Sequence, residues 1–218
     1  MRYLPPVALA AMLLLVQPPA FASGGSYLVD DASVVGAGQC QTESWLRAWS
    51  RGSDGAWAVP ACGVGPVELA LSLGRQQGLP GLSASPALKW QLRNGDNSGV
   101  GVAVAANATY QNGRRVASQA YASASFGLDD ARRLMVNLNL GVDEKRGSSG
   151  HPLKGLGVEY AFDDRWSLLA ERVWSRDAVT DQAGIRLTMG SVSIDLVAGR
   201  ERATDRSHWF NLGWNVAF

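Results

Sequence analysis

The chain has 218 residues, with 20 Lys and Arg against 19 Asp and Glu, 46% apolar residues and 8 Trp. That excludes a disordered polar chain, leaves no bulk charge aimed at nucleic acid, and suits one medium domain. Lys89, Lys145 and Lys154 are the only lysines, fewer than a water-facing surface usually carries.

Residues 1–22 read as a secretory signal peptide. Arg2 supplies the positive start, residues 4–16 are apolar except Pro5 and Pro6, and Ala20-Phe21-Ala22 is a small-x-small cleavage site. The apolar run is shorter than the roughly 20 residues that a spanning helix needs. No later run is longer, so a membrane protein here must be made of strands. Residues 23–38 hold Asp30, Asp31 and several Gly. This stretch is expected in the periplasm or threaded into the lumen as a plug.

From residue 39 to the end, apolar residues recur at every second position, the strand period. Val67, Leu69, Leu71 and Leu73 begin the pattern, followed by Leu88, Trp90 and Leu92, then Val100, Val102 and Val104. Leu134 to Val142, Leu156 to Phe162, Ile185 to Met189, Val192 to Ala198 and Phe210 to Phe218 alternate in the same way. Residues 39–50, 55–62, 116–128 and 166–174 alternate more weakly, and the last would be resolved by a bulge. The count is about twelve, with ten to fourteen compatible.

Connections after even-numbered strands read as turns, and most of those after odd-numbered strands as longer loops. Aromatics near strand ends (Trp49, Trp57, Tyr110, Phe126, Tyr160, Phe162, Trp166, Trp174) read as an interfacial girdle. The expected fold is all-β: a transmembrane up-and-down antiparallel barrel over residues 39–218 in a Gram-negative outer membrane, monomeric and surrounded by lipid. A soluble β-sandwich also alternates, but its exposed face would carry more Lys.

The last strand, Leu212-Gly213-Trp214-Asn215-Val216-Ala217-Phe218, resembles the C-terminal assembly signal of outer-membrane proteins. The resemblance implies that the barrel-assembly machinery reads Trp214 and Phe218. Asp30-Asp31-Ala32, then Gly36, Gly38, Glu43 and Trp45, resembles the start of a family of outer-membrane transporters associated with the meta-pathway of phenol degradation. Val29 replaces that family's usual Thr, and the two Cys depart from its pattern. The likeness implies passage of small organic compounds and names no cargo.

If the apolar face meets lipid, the other face lines the lumen. Its charged candidates are Glu43, Arg47, Glu68, Lys89, Arg93, Glu159, Glu171, Arg186 and Asp195. A cation at the midplane of the lipid face costs about 2 to 4 kcal/mol. Facing acids and bases would form a narrow, mixed-charge passage for small organic solutes. A closed structural or interaction barrel, sealed by the same ion pairs, is the alternative.

With strands one and two paired around residues 50–53, Trp45 faces Trp57 and Cys40 faces Cys62, close enough for a disulfide in an oxidising compartment. No metal site, cofactor or catalytic set is expected. His151 and His208 lack the spacing of barrel lipid hydrolases, a remote alternative, and no Gly-x-Ser-x-Gly elbow occurs.

Overall fold

The computed structural model describes residues 26–218 except 97, 98, 130, 204 and 205. The expected signal peptide and its cleavage site lie outside the described residues. The strands are β1 (Cys40–Trp49), β2 (Asp54–Val64), β3 (Val67–Gln76), β4 (Ser83–Arg93), β5 (Val100–Gln111), β6 (Arg114–Gly127), β7 (Leu134–Lys145), β8 (His151–Ala161), β9 (Trp166–Trp174), β10 (Val179–Met189), β11 (Val192–Arg202) and β12 (Arg206–Ala217). All pairings are antiparallel between sequence neighbours. β1 and β12 close the sheet from Gln41 opposite Ala217 to Trp49 opposite Trp209. Closure pairs every strand on both sides and leaves no edge to template aggregation. The twelve-stranded barrel expected from the alternation is therefore present.

Burial follows the period of two. On β8, Leu153, Gly155 and Gly157 are buried, while Lys154, Leu156 and Val158 are exposed. On β12, Trp209, Asn211 and Gly213 face in, and Phe210, Leu212 and Trp214 face out. The outside is a belt of exposed apolar side chains, from Leu46 on β1 to Phe210 and Val216 on β12. Gln41, Glu43, Lys89, Asn137, Asn139, Glu171, Arg186 and Asp195 are buried. An apolar outside and a polar inside invert the soluble pattern and match a barrel in lipid.

Cys40 and Cys62 are bonded, with a Cα separation of 4.1 Å, and lie opposite each other with Trp45 opposite Trp57. They share the outward parity of their strands, beside the rim that carries both ends of the sheet. Between β5 and β6, Asn112 and Gly113 both have positive φ (51° and 73°). That is the two-residue turn a right-twisted hairpin prefers.

Four expectations need correction. The rims do not differ in loop length. Connections 50–53, 77–82, 112–113, 146–150, 175–178 and 203–205 are about as short as 65–66, 94–99, 128–133, 162–165 and 190–191. Polar residues read as loop instead continue the strands as hydrogen-bonded ends, as at Arg202 and Arg206. Arg93 does not face inward. The β4–β5 register shifts between Gln91 and Arg93, so Arg93 pairs with outward Val102 and is exposed; a one-residue shift flips the face. β9 has no bulge, since its register with β8 and β10 is continuous. Leu169 packs inward and Arg172 faces out instead. Trp49 and Trp57 belong to no girdle, because they sit on the inward parity of β1 and β2.

Candidate functional site

The described chain begins inside the barrel. Residues 26–36 form no strand, yet Ser26, Val29, Ala32, Val34 and Val35 are buried. An extended segment out of water needs partners for its backbone groups, and polar side chains of the wall supply them. Leu28 and Val29 donate their amides to the two carboxylate oxygens of Glu171 at 2.9 and 3.2 Å. Asn139 accepts from Asp30 N at 2.8 Å and donates to Asp30 O at 2.7 Å. Ala32 N donates to Ser125 Oγ, Gln91 donates to Ala32 O, and Val35 N donates to Glu68 Oε2. Ser26 Oγ donates to Asp195, and Gln182 donates to Ser26 O. Seven strands of the wall hold one segment. It joins the wall where Ala37 bridges Gly63, one step from the disulfide.

Charge fastens it further. Lys89 Nζ lies 2.8 Å from Asp30 and 3.2 Å from Asp31, with all three side chains largely buried. Tyr121 donates its hydroxyl to the other oxygen of Asp30 at 3.0 Å. Arg186 binds Asp195 through two hydrogen bonds of 2.6 and 2.9 Å. The ring of Tyr27 covers that guanidinium at 4.2 Å, a cation–π contact.

Small residues give the segment room. A Cβ on Gly157 would lie 3.3 Å from Val29 Cβ, and one on Gly213 would lie 3.2 Å from Ser26. Beside the segment remains a cavity of about 200 Å³, bounded by Tyr27, Val29, Asp30, Glu43, Glu68 and Tyr121. Toward the rim with the sheet's two ends, a wider vestibule of about 1170 Å³ carries Asp31, Arg132, Arg133, Asp163, Asp164 and Arg186.

Toward the other rim, the inner wall is aromatic. Trp45 and Trp57 stack at 5.5 Å with an interplanar angle of 8°, and Trp49 meets Trp57 edge-on. Arg47 lies over Trp49, Trp57 and Trp209 at 5.5, 5.9 and 4.9 Å. Its Nε donates to Asn211 at 2.7 Å. Gly74 and Gly199 let the rings lie flat, since a Cβ on either would meet indole atoms at 2.2 to 2.3 Å.

The sequence-selected charges thus fall in four places. Glu68, Lys89, Glu171 and Asp195 bond the segment directly, with Arg186 one step behind on Asp195 and under Tyr27. Glu43 accepts from Gln41, and Glu159 accepts from Ser167, on the wall itself. Arg47 stands apart among the indoles, and Arg93 is outside. Sequence reasoning passed over Ser26, Tyr27 and Gln182 as lumen groups. The inward-parity glycines Gly155, Gly157 and Gly213 were the readable sign that something occupies the space they leave.

Trp214 and Phe218 face outward, and Phe218 exchanges two backbone hydrogen bonds of 2.9 Å with Cys40.

A family model described as Uncharacterised conserved protein UCP029691 matches residues 11–218. A KdgM porin in complex with disordered oligogalacturonate has a similar structure, with a TM-score of 0.70 at 10% identity over 82% of this chain and 99% of that one. A NanC porin is similar with a TM-score of 0.62 at 8% identity, over 81% of this chain and 98% of its own. At such identities the likeness is one of fold. No curated protein matches the sequence. None of these matches carries the phenol-pathway resemblance of residues 27–47.

Proposed function

The chain belongs to the family described as Uncharacterised conserved protein UCP029691, and we propose that it is an outer-membrane channel for small organic solutes whose narrow lumen is closed by its own residues 26–36. In this reading both ends of the sheet face the periplasm, and the Arg47 mouth faces outward. The porin folds of its structural neighbours support placement in the outer membrane of a Gram-negative cell, with lipid around the belt.

One observation carries the reading. In a permanently sealed barrel the acids and bases of the wall bond one another across the lumen. Here Arg186 pairs with Asp195 on the wall, but Glu68, Glu171, Asn139 and Lys89 also bond residues 26–36, which form no strand. With the segment out, those groups would line a polar, mixed-charge passage, the wall that a solute channel uses. The neighbour bound to oligogalacturonate carries an acidic sugar chain. For this protein the cargo is proposed only as small and organic, entering past Arg47 and the indoles. We propose no catalytic role.

Conductance tests this. The mature chain and a form lacking residues 23–36 would be refolded into detergent and inserted into planar bilayers. The full chain should be closed, with rare small steps, and the shortened chain steadily open. Silence from both barrels, each shown to be folded by heat-modifiable gel mobility, would refute the channel and favour the closed structural barrel.

A further inference from the structure

The outer face of β8–β12 departs from the apolar belt near the Arg47 rim. Asp181 faces out on β10, directly opposite Arg172 on β9 and Arg200 on β11. Arg172 Nε lies 2.5 Å from Asp181 Oδ1, Arg200 Nε lies 3.1 Å from Oδ2, and Arg202 also reaches Oδ2. Lys154, Arg202 and Arg206 occupy the next outward row, opposite Trp174, Val179 and Arg202 in turn. Among the described outward residues of β8–β12 in these two rows, five cations stand with one carboxylate, and three of them contact it. The neighbouring outward row toward the midplane is Val158, Ala170, Ala183, Ala198 and Phe210, wholly apolar. On the opposite flank, by contrast, outward Arg115 is matched by Glu144 at 3.0 Å.

We propose that this patch binds the phosphate groups of an outer-leaflet glycolipid, with the acyl chains of that lipid on the apolar rows below. Guanidinium forks match phosphate oxygens in pairs. Asp181 gathers three of the guanidinium groups but neutralises only one charge. Adjacent strands lie about 4.8 Å apart, so the patch spans roughly 19 Å across five strands, enough for a head group with two phosphates. Arg172 also stacks over Trp174 at 5.7 Å, and Trp is a residue of the head-group level. The inference takes its membrane side from the orientation proposed above. It stands apart from conduction, because every residue involved faces away from the lumen.

The test uses the folded full chain in a non-ionic detergent. Native mass spectrometry would measure retention of diphosphoryl lipid A, of the same glycolipid with its phosphates removed, and of inorganic phosphate. The expected result is at least a tenfold preference for the phosphorylated lipid, lost in the R172Q/R200Q/R202Q variant and kept in R115Q. If the triple variant fails to fold, R206Q/K154Q, which leaves the Asp181 cluster intact, should still reduce the preference severalfold. No preference in the folded wild type, equal loss in R115Q, or inorganic phosphate held as tightly as the lipid would each overturn the proposal. None of these results bears on conductance, so failure here leaves the channel reading separately testable.

Discussion

Replacing Lys89 with Met should open the lumen without unfolding the barrel. Lys89 is the one cation within salt-bridge distance of Asp30 among the described residues, and it also contacts Asp31. Met keeps much of the length of the side chain and removes the charge. The docked segment would then hold the Asp30 carboxylate in a largely buried site without the cation that pairs it. In the undocked state that carboxylate reaches water, so the penalty falls on the closed form alone. Removing one partner of a buried ion pair costs about 3 to 5 kcal/mol. At about 1.4 kcal/mol per tenfold, the open fraction should rise between about a hundredfold and a few thousandfold. Single-channel recording reads this directly as open probability. The K89M/D30N form, with the stranded charge removed, should close again. If K89M inserts as a folded barrel and stays as silent as the wild type, the ion cluster does not hold the segment and the reasoning fails.

Three further outcomes follow from other parts of the barrel. Leu at Gly157 intrudes where a Cβ would already lie 3.3 Å from Val29; an overpacked site costs about 1 to 3 kcal/mol, so hydrogen exchange at the Leu28 and Val29 amides should quicken by about fivefold to a hundredfold, and unchanged protection would count against the docking. The C40S/C62S pair should lower stability by about 3 kcal/mol, as loss of a closed loop of this size does, given a separation of 22 residues. Urea unfolding should show this in the midpoint with an unchanged slope, while the closed state stays closed. Asp163, in the turn between β8 and β9, accepts the amides of Arg165 and Trp166 at 2.8 Å, and these hold its carboxyl below its ordinary range. A group depressed on folding stabilises above its unfolded value and loses that contribution as pH falls. The difference in melting temperature between wild type and D163A should therefore be present at neutral pH and shrink below about pH 4; a difference that grows in acid would contradict the sign.

How far the fold can be read from the chain differs from strand to strand. The β1–β2 register was legible because a short loop and a period of two leave one pairing that keeps both faces consistent, and it places Cys40 opposite Cys62. Arg93 was not, because a bulge has no signature in residue type and one slipped residue turns every later side chain over. Trp49 and Trp57 were misread because aromatics near strand ends occur on both faces. Parity with Glu43 and Arg47 was the better guide, and it places Trp45 and Trp49 inside. The bulge expected within residues 166–174 does not exist; Arg172 lies on the outward face with Trp166 and Leu168, where a lone cation is costly. Asp181 on the next strand removes that cost, and cross-strand partners are invisible until the register is known. The path of residues 26–36 has no periodicity to reveal it. Its partners are single side chains on strands far apart in sequence, such as Glu171, 143 residues beyond Leu28.

The place where the segment meets the wall sets its leash. Ala37 is bridged to Gly63, and Cys40 is bonded to Cys62, so the anchor lies at the rim and not along the bore. Eleven residues from 26 to 36, drawn out at roughly 3.4 Å each, reach about 37 Å. That exceeds the roughly 30 Å thickness of the hydrocarbon layer. In the proposed channel, a strap of that length would swing clear of the bore while its root stays fixed. It can also return through an open end, so the ring of strands never has to part. Closing and opening would then be reversible events of one chain, and the freed strap would remain within a few nanometres of its berth, at a local concentration no separate stopper molecule could match.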